Sequence, residues 1–344
     1  MNNNHLHLNN INHLTSNPLR SHSSTTVDKA KKILAEIMLY RRMPPDAARC
    51  KETNCPQCAH IHLPLICAAI AANKPVSCVL PAFPGKSPNL EKVLGYLPDY
   101  AERLALRFLG ALCQRVKQYY APGIKIILCS DGRVFSDVVG MKESHVTAYQ
   151  TQINKLIDEM SFIDLTTFNL DHYYAPLTFA QMRDALIDNY AHSLASIKHT
   201  VRSGAKASAS LEEREANRMY RGITRFLFED SIHQKQTKSR TVLQKESREK
   251  AYELIRRSNA WSALIAEHFP DSIRLSIHPQ ICGSKKLGIR LIQNELWMTP
   301  WHGVAVATKN GFILLKRSVA EALGAKLIYT AKGQPSHYQL QHHH

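Results

Sequence analysis

The stretch "IKIILCSDG", residues 124–132, places a short apolar run between Gly123 and Gly132. A run of this length bounded by turn residues is typical of a strand buried on both faces of a parallel sheet. An amphipathic helical pattern at 97–120 precedes it, and before that comes a second apolar run, "PVSCVL" at 75–80. Strand, helix and strand in succession form the βαβ unit, so the sequence predicts an α/β fold with a Rossmann-like core.

The chain beyond this unit changes from helical to β-rich periodicity. Patterns of helical spacing fill residues 144–269, and one of them opens with the capping-box pair Ser210 and Glu213. Four short β-rich runs follow, and the last two are separated by the hairpin signal Asn310-Gly311. We therefore expect a helical insertion and a C-terminal β-rich portion attached to the core.

These patterns predict one catalytic unit, residues 26–340, rather than independent domains. Its expected parts are a βαβ part at 26–175, a helical part at 176–268 and a β-rich part at 269–330. The first residues, 1–25, are rich in Asn, His and Ser and predict a disordered tail. The tail lacks the pattern of a signal peptide. No apolar run approaches the ~20 residues of a membrane span. We therefore expect a cytoplasmic protein that does not enter membranes.

The net charge favours anionic partners. The chain has 44 lysines and arginines against 28 aspartates and glutamates, a formal charge of +16, which attracts phosphorylated molecules, acidic lipids or nucleic acid. The densest basic stretch, 233–258, has glutamates among its lysines and continues into a helical pattern. That mixture is typical of a solvated helix face. With no nucleic-acid-binding motif in the sequence, we expect an anionic partner other than nucleic acid.

One cysteine-rich segment leaves three interpretations open. In "CKETNCPQCAHIH", residues 50–62, Cys50, Cys55 and Cys58 combine with His60 or His62 to match a four-ligand zinc site. The C-x-x-C pair also matches a redox motif, and the third interpretation is plain thiols. Because only one such pair is present and no distant second pair completes it, we expect a protein without metal.

A lysine in a proline-rich turn is the first candidate site residue. In "VLPAFPGKSPN", residues 79–89, Lys86 stands in a Gly-Lys-Ser sequence, but a P-loop needs a glycine where this chain has Leu80. The prolines of the turn also have no N–H to offer a phosphate. The segment therefore predicts a rigid turn that places Lys86 near the carboxyl end of a strand, where open α/β sheets bind ligands.

Three further segments put polar side chains at the ends of predicted strands. They are "CSDGRVFSD" at 129–137, "RLSIHPQ" at 274–280 and "TPWHGVAV" at 299–306. Together with the lysine turn they supply acids, bases and cations, which predicts an α/β enzyme acting on an anionic substrate. The candidate residues in these segments are Ser130, Asp131, Arg133, Arg274, His278, Trp301 and His302.

These segments, with "KVLGYLPDYAE" and "KLGIRL", resemble in order the isocyanide (isonitrile) synthase family, also called the pyoverdine/dityrosine biosynthesis family. The resemblance spans residues 76–308. It implies that the amino group of tyrosine or tryptophan is converted to an isocyanide, with ribulose 5-phosphate as the carbon source and no metal or organic cofactor. It also implies that a downstream iron(II)/2-oxoglutarate oxygenase receives the product.

Residue chemistry assigns roles within that reaction. Phosphate binding is expected from the cations Lys86, Arg133 and Arg274, and Ser130 is placed with the substrate-binding residues. The proton transfers are assigned to Asp131, His278 and His302, and Trp301 is expected to flank the aromatic substrate. The alternative is a sugar-phosphate aldolase or lyase in which Lys86 forms an imine. Borohydride trapping with sugar phosphate alone would label Lys86 in that alternative.

Overall fold

A parallel sheet of five strands forms the centre of the fold. The computed structural model describes residues 23–44, 55–233, 236–294 and 298–340. The strands are β1 (Val76–Pro81), β2 (Ile124–Cys129), β3 (Leu165–Phe168), β4 (Ile273–Ser276) and β5 (Lys286–Gly288). They lie in the order β3-β2-β1-β4-β5, and each pairs with its neighbour in parallel. The predicted α/β fold with a Rossmann-like core is confirmed.

Helices pack on both faces of this sheet. Those before the insertion are α1 (Ser24–Met38), α2 (Pro56–Ala71), α3 (Tyr100–Lys117), α4 (Gly132–Val139), α5 (Glu143–Glu159) and α6 (Leu170–Tyr174). Leu80 and Ile126 join the core beneath α1, α2, α3 and α5, whereas Val79 and Cys129 join a second cluster on the opposite face. Burial on both faces explains why the two runs read as apolar at successive positions.

The helical middle contains α7 (Phe179–Tyr190), α8 (Leu194–Ser203), α9 (Leu211–Ser231) and α10 (Arg240–His268). A break at residues 191–193 separates α7 from α8. The chain leaves the helix at Ala191 and restarts with Ser193 as the cap. The predicted capping box of α9 is confirmed, since Ser210 Oγ accepts from the Glu213 N–H at 3.2 Å and Glu213 Oε2 accepts from the Ser210 N–H at 2.8 Å.

A second sheet forms the C-terminal part. It contains β6 (Val304–Thr308), β7 (Gly311–Leu315), β8 (Lys326–Tyr329) and β9 (Pro335–Gln339) in the order β7-β6-β9-β8, with α11 (Arg317–Ala322) between β7 and β8. The predicted Asn310-Gly311 hairpin joins β6 to the antiparallel β7. Of the four predicted β-rich runs, the first two become β4 and β5 of the central sheet. A short apolar run does not reveal its partner strand in the sequence.

The described part of the chain begins slightly before the predicted end of the N-terminal tail. Residues 1–22 lie outside the described part, and Ser23 already caps α1, two residues before the predicted end of the tail. The unit at 26–340 stays a prediction. In the described ranges, every helix is too short or too polar to cross a membrane.

The strand order reverses between β1 and β4, which fixes where a ligand is expected. From β1 the chain proceeds to β2 and β3 on one side, and later to β4 and β5 on the other. In sheets of this kind the connections on the two sides diverge and leave a crevice outside the carboxyl ends of the strands at the reversal. The turn containing Lys86 follows β1, and His278 follows β4, so both candidate segments border this crevice.

Gly132 brings two of these connections into contact. A Cβ atom at this position would lie 1.8 Å from the carbonyl oxygen of Pro84, in the turn after β1. The φ angle of Gly132 is not positive, so backbone conformation does not require a glycine here. A glycine is required because a side chain would collide with the Pro84 carbonyl. The structure shows a close approach of two backbones, which locks the turn after β1 against the start of α4.

Candidate active site

Lys86 is the centre of a buried polar network, and its side chain is fully buried. Its Nζ lies 2.8 Å from Asp99 Oδ2, 2.8 Å from Glu102 Oε2 and 3.0 Å from the carbonyl oxygen of Pro300. Tyr149 completes the group by donating its hydroxyl to Glu102 Oε1 at 3.2 Å. We call these four residues, Lys86, Asp99, Glu102 and Tyr149, the Lys86 network.

The network follows from the local sequence at the start of α3. Asp99 is the N-cap of this helix and accepts from the Ala101 N–H at 2.8 Å, and Glu102 returns the bond by accepting from the Asp99 N–H at 3.0 Å. This capping box fixes both carboxylates at one helix end. Phe83, with a φ of +59°, and Gly85, with a φ of +137°, bend the turn after β1 so that Lys86 enters between the carboxylates.

The charges in the network set the protonation of its members. Burial by itself would lower the pKa of Lys86, but the charges of Asp99 and Glu102 outweigh it and raise that pKa. The pKa of Glu102 is raised to about 7, mainly by burial and further by Asp99, with Lys86 opposing. Lys86 therefore stays an ammonium ion, and one cation is shared by two carboxylates.

This arrangement revises the role expected for Lys86. An ammonium has three N–H donors, and three acceptor oxygens already surround this one. No donor is left for a substrate phosphate in this geometry. An imine-forming lysine needs a depressed pKa, and the shift here is in the opposite direction. The structure thus favours a structural role for Lys86 over phosphate binding or imine formation.

Asp131 is a carboxylate with unusual protonation. It lies two residues after the end of β2 and occupies the N-cap position of α4, but its side chain makes no capping bond. Among the described residues, its buried Oδ1 has no hydrogen-bond partner. Burial raises its pKa to about 7. Near neutral pH the carboxyl group is therefore present in both forms and can donate a proton as well as accept one.

His302 combines partial exposure with a lowered pKa. It ends a short 3-10 helix, Pro300–His302, and its side chain is 27% exposed. Its Nδ1 lies 3.9 Å from Asp230 Oδ2, beyond hydrogen-bond distance. Burial lowers its pKa to about 4, with Asp230 opposing and the cations Lys92 and Lys86 adding to the shift. The imidazole is therefore neutral at pH 7 and can accept a proton.

Asp230 is held beside His302 by the turn that contains Lys86. Ser87 Oγ donates to Asp230 Oδ1 at 2.9 Å, and the Lys92 ammonium forms an ion pair with the same oxygen. A cavity of about 130 Å³ lies next to Asp230, between α4, α9 and α10. Its walls are half apolar and half polar: Val138, Leu227 and Leu243 are among the apolar residues, and Glu246 and Lys250 are among the polar ones.

A second group of ionisable side chains lies at β4 and β5. Arg274 and Lys286 are register partners on these neighbouring strands, so their side chains share one face of the sheet. His278 follows β4 and is exposed. We call Arg274, His278 and Lys286 the cationic cluster. Within the described residues, no carboxylate lies at ion-pair distance from any of the three.

Beyond burial, repulsion between the positive charges of the cluster lowers the pKa of Lys286. Burial and the charge of Arg274 lower the pKa of Lys286 to about 8, against a weaker opposing effect of Glu215. Cations that lack a compensating carboxylate are suited to bind an anion from solution.

The structure places the remaining predicted site residues in packing roles. Arg133 donates from Nε to Asp171 at 2.6 Å, and its guanidinium lies 3.8 Å from the centre of the Phe179 ring. Trp301 is buried against Phe83, with ring centres 5.5 Å apart. Ser130 donates to the Phe83 carbonyl at 2.8 Å and accepts from the amide of Gln150 at 3.0 Å.

Comparison with known proteins places this site in a family. The model of the pyoverdine/dityrosine biosynthesis protein family matches residues 66–328. The chain belongs to that family. The match includes the Lys86 network, Asp131, the cationic cluster and His302, and it confirms the resemblance suggested by the sequence.

Several relatives cover nearly the whole chain. The pyoverdine/dityrosine family member named L-tyrosine isonitrile synthase from Pseudomonas aeruginosa is 45% identical over 318 residues, which is 90% of this chain and 93% of that protein. The L-tryptophan isonitrile synthase AmbI1 from Fischerella ambigua is 41% identical over 312 residues, 90% and 95% of the two chains. The crystal structure of the PvcA protein from Pseudomonas aeruginosa superposes with a TM-score of 0.84 at 44% identity, covering 91% of this chain and 100% of that one.

Two candidate site residues of this pyoverdine/dityrosine family chain were not found from the sequence. Lys286 is the first residue of the "KLGIRL" segment, but its position opposite Arg274 depends on the register of β4 and β5. Asp230 ends the apolar stripe of α9 and reaches His302 through the packing of α9 on the turn after β1. The strand-end rule that located His278 could also have singled out Lys286. No sequence signal distinguishes Asp230 from a surface acid.

Proposed function

We propose that the chain is an isonitrile synthase that converts the amino group of L-tyrosine or L-tryptophan to an isocyanide, with ribulose 5-phosphate as the carbon source. The observation that carries the proposal is the relatives named L-tyrosine and L-tryptophan isonitrile synthases, which align with 90% or more of both chains. The carbon–carbon lyase class and the absence of a cofactor follow from the same proposed reaction. A cytoplasmic location and transfer of the product to an iron(II)/2-oxoglutarate oxygenase also belong to the proposal.

The cationic cluster supports a sugar phosphate as the second substrate. A phosphate ester carries about −1.5 to −2 charges at pH 7. Arg274 lies on β4, one of the two strands at the strand-order reversal, and Lys286 is its register partner on β5. His278 belongs to the same cluster and follows the carboxyl end of β4, which is the edge where α/β sheets bind ligands. Lys286 thereby takes the role that the sequence suggested for Lys86, and Arg274 keeps its predicted role.

Asp131 and His302 support the proton transfers. In the proposed reaction the substrate amine condenses with the sugar ketone, phosphate is eliminated, and carbon–carbon cleavage leaves the isocyanide carbon on nitrogen. These steps need a base and an acid at the same pH. The neutral imidazole of His302 is suited to take a proton and the protonated carboxyl of Asp131 to give one. His278 lies beside the proposed phosphate site, so we assign to it the proton transfer that accompanies the elimination of phosphate.

The cavity next to Asp230 supports a position for the aromatic side chain. Val138, Leu227 and Leu243 on its walls offer apolar contact to a phenol or indole ring, and Asp230 lies between this cavity and His302. A substrate ring in the cavity would direct the amino group toward His302. Trp301, which the sequence suggested for this contact, is buried against Phe83 and serves instead to support the short helix that carries His302.

The reaction itself is the first test. Purified protein given L-tyrosine or L-tryptophan with ribulose 5-phosphate is expected to release inorganic phosphate and form an isocyanide, which a tetrazine probe captures for mass spectrometry. Carbon-13 at the ketone carbon of the sugar should appear in the captured group. Unlabelled product, or full activity without the pentulose phosphate, would contradict the proposed carbon source. Borohydride added with sugar phosphate alone should leave Lys86 unmodified, whereas an aldolase would be labelled.

Replacing Lys286 by Met is expected to raise the KM for ribulose 5-phosphate by about 10- to 150-fold, with a smaller change in kcat. One charge-assisted phosphate contact contributes about 1.5–3 kcal/mol, and its loss affects ground state and transition state alike. Because the pKa of Lys286 is about 8, the KM of the wild-type protein should also rise as the pH passes that value. Steady-state kinetics across this pH range measure both effects.

The neighbouring lysine provides a matched control. Lys285 is exposed and directly precedes Lys286, so Lys285→Met removes the same net charge without entering the cluster. Lys286→Arg should retain a low KM and abolish its rise above about pH 8, because arginine stays protonated. Equal KM values in Lys285→Met and Lys286→Met would remove Lys286 from the phosphate site.

A further inference from the structure

Three cysteine thiols from distant parts of the chain meet beside α2. The Sγ atoms of Cys55, Cys58 and Cys282 all lie within 4.8 Å of one another. Cys55 is the N-cap of α2, Cys58 lies in its first turn, and Cys282 comes from the connection between β4 and β5. Cys55 and Cys58 are buried and Cys282 is partly buried. We call these three residues the thiol cluster.

The surroundings of the cluster supply N–H donors to sulfur. The Arg41 Nη1 donates to Cys58 Sγ at 3.0 Å, and the Gly283 N–H approaches the same sulfur at 3.5 Å. The start of α2 adds the partial positive charge of a helix N-terminus at Cys55. Thiolates are the form that binds metals, and N–H donors to the sulfur commonly support metal–thiolate bonds.

We propose that Cys55, Cys58 and Cys282 bind a zinc ion that ties α2 to the connection between β4 and β5. With Zn–S bonds of about 2.3 Å in a tetrahedral site, two sulfur ligands lie about 3.8 Å apart. The 4.8 Å limit accommodates this spacing, and the 2.9 Å contact between Cys55 and Cys282 has to open slightly. Three thiolates and one zinc ion carry a charge of −1, which the Arg41 guanidinium neutralises.

This proposal changes the ligand set suggested by the sequence. Cys50 lies outside the described residues. Neither His60 nor His62 belongs to the group of close ligand atoms. The expectation of a metal-free protein rested on the lack of a distant ligand, and Cys282 supplies one from 227 positions beyond Cys55.

The position of the cluster gives the ion a structural task near the site. The segment between β4 and β5, residues 277–285, contains His278 near its start and Cys282 near its middle, and it leads into Lys286, the first residue of β5. Arg41 adds a second anchor by donating from Nη2 to the Ile281 carbonyl at 3.3 Å. A bound zinc would therefore hold the segment that carries His278 and precedes Lys286.

Metal content and the spectrum of a cobalt-substituted protein test the proposal. About one zinc ion per chain should accompany the purified protein by elemental mass spectrometry. Because the chain has 18 histidines that can also bind metal, the deciding signal is sulfur-to-cobalt charge-transfer absorption after replacement by Co²⁺. This absorption should weaken in Cys58→Ala and Cys282→Ala. Arg41→Met should lower zinc affinity by about 10- to 100-fold in chelator competition.

Cys67→Ala is the matched control, since Cys67 is a buried cysteine on α2 that is outside the cluster, and it should keep the full signal. If the cluster variants fail to fold, the wild-type protein decides, because chelation should remove the absorption and lower its Tm. Wild-type protein that shows no thiolate–cobalt absorption would overturn the proposal. A Cys55–Cys282 disulfide, found by mass spectrometry under non-reducing conditions, would also overturn it.

Discussion

Replacing Lys86 by Met is expected to lower the free energy of unfolding by about 3–5 kcal/mol, because removing one partner of a buried ion pair leaves an uncompensated charge in the interior. Here two carboxylates would lose their shared cation, since the side chains of Asp99 and Glu102 are 4% and 0% exposed. Urea denaturation of wild type and variant measures the difference. Lys125→Met, at an exposed position of β2, is the control and should change stability by less than about 0.5 kcal/mol.

The pH dependence of this loss has a definite sign. Burial already raises the pKa of Glu102 to about 7, and removal of Lys86 raises it further. A carboxyl group whose pKa is raised in the folded state stabilises the fold most below its unfolded value, and this contribution is lost as the pH rises through the folded value. The deficit of Lys86→Met should therefore be larger at about pH 8 than at about pH 5.5.

A second substitution separates charge from packing. In Lys86→Met with Glu102→Gln, one of the two stranded carboxylates is neutral, so the double variant should recover part of the lost stability and most of its pH dependence. Equal stability of Lys86→Met and wild type at about pH 8 would contradict the ion-pair account. The loss should also reduce activity, because Lys86 holds the Pro300 carbonyl of the short helix that ends at His302.

The central sheet could be predicted from the sequence because its two middle strands are apolar at successive positions. The runs that became β1 and β2 are buried on both faces, and a long amphipathic helix separates them. The strands β4 and β5 have only four and three residues. Runs that short were correctly predicted to be β-strands, but the sequence did not reveal the sheet to which they belong. Strand pairing is decided by contacts between segments that are far apart in the chain.

The site residues stay a prediction, and the structure bears differently on each of them. The strand-end rule led to Asp131 and His302, whose pKa values are strongly shifted in the structure, and to His278, which is exposed beside Lys286. It also led to Lys86, which the sequence presented as a loop cation. Its burial depends on the capping box of α3 packing against that loop. Whether a cation binds substrate or a neighbouring carboxylate is a property of tertiary packing, which a linear pattern does not contain.

Changing Asp131 to Asn is expected to lower kcat by about 100-fold or more, because asparagine cannot donate the proton that general acid catalysis requires. Since the pKa of Asp131 is about 7 and raised, the wild-type rate should fall as the pH rises above that value. The variant should lose this alkaline limb. His302, with a pKa of about 4, acts as a base only above that pH, so His302→Gln should lower kcat similarly and remove the acidic limb.

The pH–rate profiles of the variants, compared with that of the wild type, assign the acidic and alkaline limbs to individual residues. The phosphate group of the sugar itself titrates near about pH 6, so part of any wild-type profile belongs to the substrate and is shared by every variant. Asp184→Asn and His192→Gln, both at exposed positions, should keep the wild-type rate and both limbs. If Asp131→Asn retains the alkaline limb, the proton donor is a different group. Glu102, whose pKa is also about 7, is then the next residue to test, because its Lys86 network lies against the same turn and the same short helix.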